Sequence, residues 1–367
     1  MLYSKFTSES VCSGHPDKIC DAISDAILDA ALEQDAFSRV AVETLVTKDF
    51  VTIAGEITTN AKINYQQIAQ QTIASLGYTD HRFEFTDQSP ILVKVHTQTP
   101  EIAQGVDIDG AGDQGMMFGY ACTQTENYMP LPIQMAHDIT SGLDQARESR
   151  SIPYLRPDGK AQVTISYLEG KAVSVDSIVI AVPHEESITR NELEQDVYRE
   201  VILPVLEKYQ LTYPQKNMIV NGTGTWYIGG PTADTGLTGR KIMVDSYGGY
   251  ARAGGGAFSG KDATKVDRSG AYAARFIAKN IVAQGLASEC EVALAYYIGS
   301  KIPVMQEFNT FGTEKVSQKA LRDFSENLLD TSVKGIIEGL DLRRPIYSAT
   351  ASGGHFGREQ FPWEQIK

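Results

Sequence analysis

Residues 16–58 read PDKICDAISDAILDAALEQ, DAFS, then RVAVETLVT, KD and FVTIAGEIT, and this stretch decides the fold class. Ile19, Ala22, Ile23, Ala26, Ile27, Ala30 and Ala31 recur at helical spacing, so residues 16–34 are expected as an amphipathic helix. Pro16 suits its first turn, where a missing N–H costs nothing. Runs 40–47 and 50–58 follow as strands joined by a two-residue turn at Lys48-Asp49. That turn sets position 43 opposite 54 and puts Val40, Val42, Val46, Val51, Ile53 and Ile57 on the core side. Glu43 and Glu56 then share the other face on a diagonal of roughly 7–8 Å. Such a pair is either solvated, or holds a cation, or receives a substrate amine. A second helix over 62–76 and a strand at Ile91–Val95 complete the unit.

The same order returns twice. Helix 131–148, strands 161–168 and 172–182 about Glu169-Gly170-Lys171, helix 189–208 and strand 217–220 fill the middle third. Thr189 and Glu192 fit a capping box. Helix 268–286, strands 290–299 and 301–308, and a helical stretch 316–339 fill the last. The expected class is therefore α+β, built of three similar helix–hairpin–helix units.

The whole chain has 367 residues and a net charge of −13. That acidity argues against a general nucleic-acid binder, whose affinity rests on neutralising phosphates. No apolar run approaches the ~18 residues of a membrane span, the first residues carry no signal-peptide pattern, and cysteines 12, 20, 122 and 290 show no metal-knuckle spacing. A cytoplasmic protein with free thiols, without nucleic-acid or membrane partners, is the expectation.

Residues 98–115 form a long Gly- and Asp-rich loop, and residues 222–260 hold 12 of the 32 glycines interleaved with aromatics. Across 240–268, Arg240, Lys241, Arg252, Lys261, Lys265 and Arg268 face only Asp245, Asp262 and Asp267. Cations among glycines suit a polyphosphate, which needs point charges and free amides. Gly255–Asp262 nearly matches a P-loop, but Asp262 stands where Ser or Thr belongs and no helix opens at once behind the lysine. Ser13-Gly14-His15-Pro16-Asp17-Lys18 leads into the first helix, whose N-terminus attracts anions. A phosphotransferase or a nucleotide-sensing module would share these features; the nucleoside product separates them.

Gly14-His15-Pro16-Asp17-Lys18, the run Gly110–Gly115 (GAGDQG) and the run Gly254–Asp262 (GGGAFSGKD) together resemble the S-adenosylmethionine synthetase family end to end. The resemblance implies transfer of the adenosyl group of ATP to the sulfur of L-methionine, followed by hydrolysis of triphosphate to diphosphate and phosphate. It implies a pseudo-threefold arrangement of domains, here 1–100, 109–229 and 230–367, with 98–108 as a mobile active-site loop. It assigns His15, Lys160, Arg240, Lys261 and Lys265 to catalysis. The nucleotide falls to His15, Asp158, Lys160, Thr225, Trp226, Asp234, Arg240, Lys241, Ala257 and Lys261, and methionine to Glu56, Gln98, Asp234 and Lys265. Asp17 and Asp267 would hold Mg²⁺, two ions per site, and Glu43 K⁺. Active sites would lie between the subunits of a homodimer, with two dimers in a tetramer. Three departures from the family pattern bear on adenine affinity, gating and substrate range: Thr225-Trp226 for Arg-Phe, Ala253 for His, and a shortened loop before Gly110.

Overall fold

The computed structural model describes residues 4–97 and 110–367. In the first third, β1 (Lys5–Val11) leads to α1 (Pro16–Gln34), then to the hairpin β2 (Arg39–Thr47) and β3 (Phe50–Thr58), α2 (Tyr65–Ser75) and β4 (Ile91–His96). His15 caps α1: its Nδ1 accepts the Asp17 amide, and Pro16 takes the first helical position. Glu43 lies opposite Ala54 and Glu56 opposite Ala41, as the two-residue turn requires, and the six expected core residues are buried.

The middle third runs β5 (Gly115–Cys122), α3 (Leu131–Glu148), the hairpin β6 (Lys160–Leu168) and β7 (Lys171–Ala181), then α4 (Arg190–Val197). A π-helical turn at Tyr198–Ile202 leads into α5 (Leu203–Lys208), and β8 (Ile219–Val220) follows. Glu169 (φ 51°) and Gly170 (φ 78°) both take the left-handed conformation, as a tight hairpin turn demands. The capping box between Thr189 and Glu192 forms in both directions. The last third holds β9 (Gly236–Leu237), α6 (Ile242–Asp245), α7 (Val266–Ala283), the hairpin β10 (Glu289–Tyr296) and β11 (Met305–Asn309), α8 (Gln318–Leu328) and α9 (Val333–Gly339). The single helical stretch expected at 316–339 is two helices. Ser332 adopts an extended N-cap conformation, receives the Gly335 amide and is itself bonded by Asp330, so a new helix starts there.

Three strands that periodicity does not reveal organise the molecule. The sheets run β4-β3-β2-β9, β8-β7-β6-β1 and β11-β10-β5. In each, the open edge of the first hairpin strand is filled, antiparallel, by a strand from another third: β9 pairs with β2, β1 with β6, and β5 with β10. A strand following the second helix adds in parallel at the far side of two of them, β4 beside β3 and β8 beside β7. Long helices back the sheets, α1 on β2 and β9, α3 on β1 and β6, α7 on β5 and β10. α7 is buried around nearly its whole circumference, and its side chains join one continuous apolar core with those of α1 and α3.

Gly119 is where β5 meets α7. A Cβ there would lie 2.0 Å from the Ala274 carbonyl carbon and 2.1 Å from the Arg275 nitrogen, both backbone atoms. Gly119→Ala is expected to cost about 3 kcal/mol or more of unfolding free energy, at or above the upper end of ordinary overpacking. A denaturant titration showing a loss under about 0.5 kcal/mol, the level of a surface change, would show that strand and helix separate easily.

Candidate active site

α1 carries aspartates at 17, 21, 25 and 29, one per turn, and the first three are 0–1% exposed. A buried carboxylate needs hydrogen-bond donors and a counter-charge. Asp17 accepts the Leu237 amide (2.9 Å), Asp21 the Gly239 amide (2.9 Å) and Asp25 the Gly260 amide (2.8 Å). Asp29 receives the amides of Tyr347 and Ser348. The counter-charges are Lys241 on Asp17 (2.5 Å), Lys18 on Asp21 (2.8 Å) and a bidentate Arg268 on Asp25 (2.6 and 2.9 Å). The helix thereby holds both glycine-rich segments along one edge of β2: Leu237 pairs with Leu45, and Lys261 bridges to Ala41.

These segments put cations beside the N-terminus of α1. Lys241 lies against Asp17, and Arg240 Nε is 3.7 Å from the same carboxylate. Burial raises the Asp17 carboxyl, but hydrogen bonds from Lys241 and Leu237 outweigh it and leave the pKa below the usual value. Pairing of β1 with β6 sets Lys160 opposite Val11, at the foot of the His15 loop. Burial, then the charges of Lys241 and Lys160, lower the His15 pKa to about 3. The ring is neutral, and since Nδ1 accepts the Asp17 amide, its proton sits on Nε2. The loop itself is clamped: Asp144 accepts the Ser13 amide (2.8 Å), and the buried Tyr78 hydroxyl donates to the Gly14 carbonyl (2.6 Å).

A second group lies on the glycine loop. Lys261 Nζ pairs with Asp267 (2.7 Å), and Lys265 pairs with Asp262. Asp262, at the P-loop serine position, is structural: it accepts the amides of Val40 and Thr264 and anchors the loop to β2. α7 begins only at Val266, so the loop is not a P-loop. Ala257 closes on Gly239, where an added Cβ would stand 2.4 Å from its own. Glu43 titrates above the usual carboxylate value through desolvation and then the charge of Glu56, with Lys261 opposing. Glu56 pairs with His96 Nε2 (3.4 Å) on neighbouring β4.

The remaining expected residues sit apart from these two groups or inside the frame. Asp158 is buried, with its oxygens on the amides of Gly159 and Gly230; burial raises its pKa to about 6. Asp234 and Thr225 are exposed. Trp226 is half-buried and donates from Nε1 to the Ile228 carbonyl (2.7 Å). Gln98 and the loop 98–108 lie outside the described residues. Asp21, Asp25 and Asp29 belong to no motif, and an acidic residue at every fourth position of α1 is the signal that could have found them. Asp245 enters the sequence only as a charge among the cations of 240–268, with no signal of its partner. Among the described residues no three acidic, histidine or cysteine side chains form a metal cage. Single carboxylates are what Mg²⁺ uses when substrate phosphates and water complete its shell, and Asp17 and Asp267 each already hold a cation in the form of an ammonium. The donor set fits a metal that arrives with the polyphosphate.

Comparison with known proteins identifies the family. Residues 3–100, 108–226 and 228–365 match the models of the N-terminal, central and C-terminal domains of S-adenosylmethionine synthetase. An S-adenosylmethionine synthase of Clostridium tetani (strain Massachusetts / E88) is 48% identical over 378 residues, covering 98% of this chain and 96% of the relative. With three family domains matched in order along nearly its whole length, the chain belongs to the S-adenosylmethionine synthetase family.

Proposed function

We propose that the family's reaction, synthesis of S-adenosylmethionine from ATP and methionine, runs along the β2 edge described above. The observation that carries this reading is a buried neutral histidine under the charges of Lys241, Lys160 and Lys18. Arg240 lies at the same Asp17 carboxylate, and Lys261 sits on the glycine-rich loop bridged to β2. Methionine sulfur is already a nucleophile, so attack at C5′ of ATP needs alignment and stabilisation of the leaving triphosphate rather than a base. His15 Nε2–H donates toward the leaving oxygen and accepts no proton. Arg240, Lys241, Lys261 and Lys160 take up the growing phosphate charge, with the backbone at Ala257 close to the chain. Lys265 and Asp234 lie toward methionine, and Glu56 with Gln98 receives its ammonium group. Thr225 and Trp226 face the nucleoside, and Asp158 acts through the loop it holds at Gly230.

Asp17 and Asp267 are the residues that would hold Mg²⁺, and Glu43 the one for K⁺; bound Mg²⁺ supplies positive charge to the triphosphate. Lys241 and Lys261, which pair with these carboxylates, would be available to phosphate once Mg²⁺ took their place. We take residues 1–100, 109–229 and 230–367 as the three domains, related by a pseudo-threefold axis, on the support of their matching sheet orders. We assign 98–108 as the active-site loop. The outer face of the β4-β3-β2-β9 sheet carries a row of Leu237, Leu45, Thr52 and Leu92 beside Glu43 and Glu56. Two of these leucines are 37% and 42% exposed, and this row supports a homodimer closing the site, with dimers pairing further. No helix among the described residues is long and apolar enough to cross a membrane; four free buried cysteines support a cytoplasmic setting.

Incubation with ATP, methionine, Mg²⁺ and K⁺ should yield S-adenosylmethionine, phosphate and diphosphate by chromatography; ADP as the main nucleotide product would overturn the reading. Asp17→Asn and Asp267→Asn should each lower kcat by about a hundredfold with circular dichroism unchanged, a loss of ~2.7 kcal/mol of transition-state stabilisation. Near-normal turnover of both at saturating Mg²⁺ would place the metal elsewhere. His15 tests its own protonation state. A histidine held neutral in the fold, with its pKa lowered to about 3, contributes stability above its unfolded pKa that is lost as pH falls. His15→Gln should therefore gain on the wild type by up to about 1.4 kcal/mol per pH unit between roughly pH 6 and 4. Parallel stability curves would show that His15 is protonated in the folded protein.

A further inference from the structure

Arg240 and Lys241 sit on a short segment between two residues bound to the same buried ammonium system. Before them, the Gly239 amide donates to Asp21 Oδ1 (2.9 Å). After them, Asp245 closes α6, its amide bonded to the Lys241 carbonyl (2.8 Å). Lys18 Nζ joins both ends: it donates to Asp21 Oδ2 (2.8 Å) and to Asp245 Oδ1 (2.5 Å). Lys18, Asp21 and Asp245 are each 0–1% exposed, so none of them reaches a substrate. Gly239 cannot shift toward the glycine loop, because Ala257 stands against it, and its φ of +78° fits glycine alone. On the other side the Asp245 carbonyl accepts the His355 amide (2.9 Å), which ties α6 to the C-terminal segment.

We infer that Lys18, Asp21 and Asp245 are positioning residues for polyphosphate binding: the Lys18 ammonium, from the residue next to Asp17, pins the Arg240-Lys241 segment at both ends. The inference rests on the reading that Arg240 and Lys241 hold the triphosphate. Two long cations on an exposed, glycine-flanked segment would otherwise lose much of their binding energy to the ordering of backbone and side chains. Here the backbone is fixed before the ligand arrives.

The test uses the full-length chain and inorganic tripolyphosphate as probe, with Mg²⁺ present. Asp245→Asn keeps the volume and removes the charge that Lys18 grips. Calorimetry should show the tripolyphosphate Kd raised about tenfold and assays should show kcat lowered about tenfold, while KM for methionine stays within about twofold. A purely structural role would lower the thermal midpoint and leave Kd and kcat of the folded variant at wild-type values; that result overturns the inference. Should the variant fail to fold, hydrogen exchange on the wild-type protein decides: residues 236–245 are expected to be protected before tripolyphosphate is added. Fast exchange there, slowed only by the ligand, overturns the inference. Lys241→Met separates the two levels. Unchanged tripolyphosphate affinity in Lys241→Met removes the underlying site assignment, whereas weakening there but not in Asp245→Asn removes the positioning role alone.

Discussion

Burial of three carboxylates on one face of α1, with a fourth, Asp29, half-buried in the same row, is the constraint on which the remaining structure turns. Taking an aspartate out of water is unfavourable by several kcal/mol unless its oxygens find donors and its charge a partner. Each aspartate of this row is answered by backbone amides from distant segments, and three are answered by Lys241, Lys18 and Arg268. Arg268 also lies over the Tyr347 ring at 4.2 Å and donates to the Tyr272 hydroxyl, so its charge is satisfied on every side. The arrangement converts a destabilising helix face into a template: wherever an amide meets one of these carboxylates, a distant segment is held in place. Stability and site geometry share the same bonds.

The charge pattern around His15 follows from that template. Lysines brought in to neutralise aspartates also crowd a buried imidazole, and their potential suppresses its protonation. A cationic histidine beside a polyphosphate would bind it more tightly in the ground state, where extra affinity does not raise the rate of the chemical step. A neutral donor interacts most strongly when negative charge develops on the leaving oxygen. On the proposed reading, the same cations attract the substrate and keep neutral the histidine assigned to the bond that breaks.

Much of this was legible in the sequence, and the illegible parts share a cause. α1 and α3 span the residues expected of them, and the β2–β3 register follows from a two-residue turn. The Glu43–Glu56 diagonal survives because it depends only on local geometry. β1, β5 and β9 escaped because their identity as strands is conferred by partners more than a hundred residues away; β9 is two residues long and has no pattern of its own. Within the site, lysines and glycines suggested a polyphosphate; the spacing of Asp21 and Asp25 was visible but their partners were not, and Asp245 carried no signal at all. Their role lies in which amide or ammonium each one meets, and that is a property of the folded chain.

The circular lending of strands carries a consequence for how the protein is made. The first sheet is completed only when Gly236 and Leu237 reach β2, the second needs both Lys5 and Ser166, and the third joins Gly115 to Tyr296. A ribosome releasing this chain from its N-terminus exposes the open edge of β2 until some two-thirds of the polypeptide has emerged. Unlike a string of domains that mature one after another, the three thirds close a ring: the second sheet has all its strands by Val220, while the first, begun earliest, waits for β9 from the last third. Loop-closure entropy across such separations makes assembly slow. Once closed, the ring gives no third a private unfolding route, so the segments that hold Arg240, Lys241 and Lys261 open only when the sheets beneath them do.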